Sequence, residues 1–123
     1  MHFSVGQLLA RTGDPANQFF AIRQGRASIE LHSAERGPLI LQTVEAGEIV
    51  GWSWLFPPYR WTFDVRAIEE LSAISFDGEC LRGKCDLDPA MGYDFMKRFA
   101  RVFMGRLESA RLQLLDLYGS AGQ

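Results

Sequence analysis

The spacing of apolar residues along this chain changes once, at Asp88-Pro89. Before that point, short runs of alternating polar and apolar side chains are cut by Gly, Pro and Asp. After it, apolar residues recur every third or fourth position without a break. A period of two belongs to a strand with one buried face, and a period of 3.6 to a helix. The expected strands are Gln7-Leu8-Leu9-Ala10, Phe19 to Arg23, Ala27 to Leu31, Leu39 to Val44, Phe63 to Ile68 and Leu71 to Phe76. The breakers between them are Gly13-Asp14-Pro15, Gly25, Glu35-Arg36-Gly37-Pro38, Ala46-Gly47 and Asp77-Gly78. Strands and breakers so spaced predict an antiparallel sandwich or barrel.

The remainder predicts one long helix. Asp88 suits the N-cap, Pro89 the first helical position and Gly119 the stop. From Pro89 to Tyr118 such a helix is about 45 Å long. Met96, Phe99, Phe103, Leu107, Ala110, Leu114 and Leu117 form one apolar line, and Phe95, Val102, Leu112 and Leu115 a second. One line can cover the sheets. The other is left for a partner unless both are covered within one chain, and exposed apolar patches mark interfaces. The expected homodimer contact comprises Phe95, Phe99, Val102, Phe103, Leu107, Ala110 and Leu114. Arg98, Arg101, Arg106 and Arg111 read as its solvated edges, because Asp94, Glu108 and Asp116 share the helix.

A chain of 123 residues fits one domain with a real core, here 1–77 as the β part and 78–118 as C-terminal helices. A net charge of −2 argues against an electrostatic grip on DNA. There is neither an apolar run of membrane-spanning length nor a leader pattern, which predicts a cytoplasmic protein. Cys80 and Cys85 read as reduced thiols near a helix, too few for a metal site, and His2 and His32 lie far off in sequence. No nucleophile–base grouping or phosphate loop is visible, so no catalysis, metal or cofactor is expected.

The segment Gly47 to Ala67, GEIVGWSWLFPPYRWTFDVRA, carries the most specific signal. It opens on Gly-Glu-x-x-Gly and ends on Val65-Arg66-Ala67, with Trp52, Trp54, Phe56, Tyr59, Trp61 and Phe63 between. Upstream lie Gly6, the turn Gly13-Asp14-Pro15-Ala16, and Phe19-Phe20-Ala21-Ile22-Arg23-Gln24-Gly25-Arg26-Ala27. In this order they resemble the cyclic nucleotide-binding domain family over about residues 3 to 118. The resemblance implies an antiparallel jelly-roll barrel with a long C-terminal α-helix. It also implies a phosphate-binding cassette at 47–67 and a regulatory role. The family's transcription factors append a helix-turn-helix after the long helix. The sequence ends at Gln123, so DNA binding by that route is not expected.

The resemblance further implies a Glu just after the second cassette glycine for the ribose, an Arg before a Ser/Thr for the phosphate, and helix N–H groups beside them. Carried over, the second glycine is Gly51, the Glu position is Trp52, the Ser/Thr position is Thr62 and the Arg position is Trp61. An anion here lacks its paired cation, a loss of several kcal/mol. Losing the ribose acceptor adds roughly 1–3 kcal/mol. Micromolar binding corresponds to about −8 kcal/mol, so the family's usual mode falls to millimolar or weaker.

Arg60 offers an alternative. In a re-registered cassette it reaches an anion beside Thr62. Trp52, Trp54 and Trp61 either fill the former ligand cavity or line a pocket for an apolar ligand. Ser53 reads as the cap of a short turn, and Pro57-Pro58 removes two backbone donors. The candidate ligand residues are therefore Gly51, Trp52, Ser53, Trp54, Arg60, Trp61 and Thr62. They predict a ligand-sensing dimeric module, or a scaffold with a plugged pocket that acts on a protein partner.

Overall fold

The structure, a computed structural model, describes residues 1–33 and 37–121. His32, Ser33, Ala110, Gln113, Leu114 and 116–121 are described by their backbone alone. Eight strands precede two helices: β1 (His2–Phe3), β2 (Leu8–Ala10), β3 (Gln18–Gln24), β4 (Arg26–Ser33), β5 (Gly37–Glu45), β6 (Ile49–Val50), β7 (Asp64–Ala67), β8 (Leu71–Asp77), α1 (Gly78–Leu87) and α2 (Pro89–Ala121). The strands pair antiparallel in two four-stranded sheets, ordered β1-β8-β3-β6 and β2-β7-β4-β5. That interleaving is the jelly-roll path. The ladders end at edge strands and do not close into a continuous barrel.

Each expected strand is present within a residue or two of its predicted bounds. β1 and β6 span two residues each, too short to show a period. Gly37 and Pro38, read as breakers, lie inside β5. β5 is an edge strand, the position in a sheet where proline is tolerated.

Residues Met1–Arg82 and Gly83–Gln123 form two compact units. The core of the first comes from inward-facing strand residues: Phe3, Leu9, Phe20, Ile22, Val44, Val50, Val65 and Leu71, together with Trp61. Among the described residues, every buried polar side-chain atom has a hydrogen-bond partner. Thr12 donates its backbone N–H (2.7 Å) and its hydroxyl (2.9 Å) to Asp64 Oδ1. Glu30 accepts from Ser28 Oγ (2.5 Å) and from Arg66 Nε (3.3 Å).

In the second unit Asp88 caps α2 as expected, its Oδ1 accepting the Met91 N–H at 3.2 Å. α2 is 33 residues long and runs past Gly119 to Ala121. A glycine lowers helix preference by only about 1 kcal/mol and does not by itself end a helix. No helix among the described residues is long and apolar enough to cross a membrane.

Candidate ligand site

The cassette is made of turns. The Leu55 N–H donates to Trp52 O at 3.0 Å, and the Tyr59 N–H to Phe56 O at 2.9 Å. No residue from 51 to 60 is helical, so the row of helix N–H groups implied by the resemblance is not formed. The two prolines of the second turn, Pro57 and Pro58, have no N–H to contribute. Ser53 sits inside the first turn, which closes through the Trp52–Leu55 backbone bond.

Beyond the turns the chain becomes extended and pairs with the 13–16 loop. Tyr59 O accepts from the Ala16 N–H (2.8 Å), the Trp61 N–H donates to Asp14 O (3.0 Å), and Trp61 O accepts from the Gly13 N–H (2.8 Å). Alternation in this short ladder sets the side chains. Arg60 and Thr62 are exposed, and Trp61 points inward with 7% of its surface accessible. The Trp61 ring lies 6.4 Å from that of Phe20 at 26°.

Gly51 gives the ring its space. Its φ of 113° suits glycine, and a Cβ there would stand 2.7 Å from Trp61 Cη2 and 3.1 Å from Phe19 Cβ. The second cassette glycine thus accommodates an indole belonging to the chain itself. Arg60 Nη1 donates to Gly13 O at 2.8 Å.

Trp54 is fully buried but lies elsewhere. Phe19 and Phe20 are neighbours on β3 and face opposite sides. Phe20 belongs to the core, while Phe19 stacks on Trp54 (5.1 Å, 20°) and on Phe76 (5.0 Å, 12°). The Trp54 indole N–H donates to Gly51 O at 3.0 Å. Its ring abuts Gly78 at the start of α1, where a Cβ would fall 2.7–2.8 Å from ring and side-chain atoms. Arg82, one turn further along α1, donates to Trp54 O and stacks over the Tyr59 ring at 3.9 Å. The cassette is therefore tied to α1 by one guanidinium. Trp52 and Ser53 are half-buried.

A cleft of about 460 Å³ is lined by Pro15, Asn17, Gln18, Ser75, Phe76, Asp77 and Glu79. None of the candidate ligand residues lines it.

The profile of the cyclic nucleotide-binding domain matches residues 1–88. The chain belongs to the cyclic nucleotide-binding domain family. No curated protein matches it. Solved structures share the fold at low identity. A candidate cyclic nucleotide-binding protein from Geobacter metallireducens GS-15 has a TM-score of 0.75 at 23% identity, over 87% of this chain and 76% of that one. A cyclic nucleotide-binding domain from Methylobacillus flagellatus KT has a TM-score of 0.79 at 16% identity, over 94% and 65%. The c-di-GMP-responsive global regulator CLP of Xanthomonas campestris has a TM-score of 0.72 at 18% identity, over 91% and 53%.

Within this cyclic nucleotide-binding domain, Gly51 and Trp61 come together, as do Gly51 and Trp54. The two tryptophans lie on opposite sides of β3. Sequence reasoning missed Phe19, Gly78 and Arg82. Gly78 and Arg82 are four apart on α1 and hence on one face, the signal that could have joined them to the cassette. It also took Arg66 only as a family marker. Arg66 donates to Gly6 O at 2.8 Å and pairs with buried Glu30, fixing the first turn to the sheet.

On α2, Phe99 is buried, Phe95 and Phe103 are half-buried, and Val102 (37%) and Leu107 (60%) are exposed. The Phe95 and Phe99 rings touch at 4.5 Å. Ala110 and Leu114 lie outside the described side chains.

Proposed function

We propose that this chain is a non-enzymatic regulatory module that does not hold cAMP or cGMP in its family's usual way, because its own Trp61 takes the ligand's place. One observation carries this reading. The residue at the expected phosphate-pairing position is an indole, 7% exposed, stacked on Phe20 and lodged against Gly51. Seating a phosphate there requires removing that ring from the core, a step of about 3–5 kcal/mol by analogy with large core deletions. It also buries an anion without its cation. Arg60 is engaged on Gly13 O, and the cassette turns supply no helix terminus.

The fold is not bound to one ligand, since a c-di-GMP-responsive regulator shares it. A sensor role for this chain is thus compatible with a filled cassette. A second reading, a scaffold acting on a protein partner, is favoured by exposed Val102, Leu107, Leu112 and Leu115 on α2.

Titration with cAMP and cGMP, followed by tryptophan emission and melting temperature, tests the proposal. The expected result is no saturable change below millimolar nucleotide. A micromolar transition with either nucleotide would overturn it.

A further inference from the structure

We propose that the cleft at the start of β3 and the end of β8 binds a small organic cation with a flat apolar face. Its lining combines two exposed carboxylates, Asp77 and Glu79, with the neutral polar groups of Asn17, Gln18 and Ser75 and the ring of Phe76. No lysine or arginine lines it. Among the described residues neither carboxylate is in an ion pair.

An anion finds no donor in the start of α1, although a helix begins there. The N–H groups of Gly78 and Glu79 both donate to Asn17 O, at 2.9 and 3.3 Å. The Cys80 N–H donates to Asp77 Oδ1 at 2.9 Å. The Ser75 hydroxyl donates to Gln18 Oε1 at 2.7 Å, so the net charge of the lining is that of the Asp77 and Glu79 carboxylates.

Phe76 adds the apolar half. Its ring is 42% exposed while one face lies on Phe19, leaving surface for a flat cation to cover. The volume, about 460 Å³, lies in the range of small-molecule sites. Because Phe76, Phe19 and Trp54 are stacked in sequence, a guest on Phe76 extends a row of rings that ends at the cassette. Occupancy is therefore readable in Trp54 emission. The cleft is independent of Trp61, so this site and the filled cassette stand or fall separately.

Benzamidinium is the test probe, with neutral benzamide and anionic benzoate as isosteric controls. Amide-resolved NMR titration of the whole chain should show saturable shifts at Asn17, Gln18, Phe76 and Asp77 with millimolar benzamidinium, together with a change in tryptophan emission. Benzamide should bind about tenfold more weakly and benzoate not at all. Glu79→Gln and Phe76→Ala, checked for an unchanged fold by their spectra, should each weaken binding by several-fold. Equal binding of all three probes, shifts centred on other residues, or no saturation with benzamidinium would overturn the site.

Discussion

Two glycines on α1 separate packing from propensity at the scale of single residues. Gly78 has Trp54 where a Cβ would go, whereas Gly83 has nothing within 4 Å. Gly78→Ala should lower stability by about 1–3 kcal/mol through overpacking. Gly83→Ala should raise it by about 0.5–1 kcal/mol through helix propensity alone. Thermal melts of both variants check this, and a destabilised Gly83→Ala or a neutral Gly78→Ala would refute it. Counting back from Arg66 needs no coordinates, so the sequence alone put Trp61 where the resemblance implies a phosphate-pairing Arg. It could not tell Trp54 from Trp61. Both are indoles in one segment, and only the alternation of Phe19 and Phe20 on β3 sends them to opposite sides of the sheet.

Elements were legible in proportion to their length. β3, β4, β5 and β8 span seven to nine residues and show their period, whereas β1 and β6 take their conformation from β8 and β3, the strands they pair with. The cassette was misread where the resemblance implied a helix. Pro57 and Pro58 favour turns, and the turn bonds run backbone to backbone. The start of α2 was legible in full, since a cap depends on local chemistry. Asp88→Ala should cost about 1 kcal/mol, and Asp88→Asn a small fraction of that. Urea titration of the two variants distinguishes them, and equal midpoints would count against the cap.

For the molecule as a whole, α2 presents Val102, Met104, Leu107, Leu112 and Leu115 to solvent, at 37–70% exposure. Exposed apolar surface of this kind marks an interface, and we propose the homodimer expected from the sequence as its occupant. Sedimentation should give a dimer for the native chain and a monomer for Phe103→Glu. A native chain that sediments as a monomer would remove the interface from the proposal. The jelly roll itself has a different bearing on regulation. With Trp61 lodged against Gly51, the room beneath the cassette is taken by the chain's own indole. On the proposed reading, any signal the domain conveys is written on its outside.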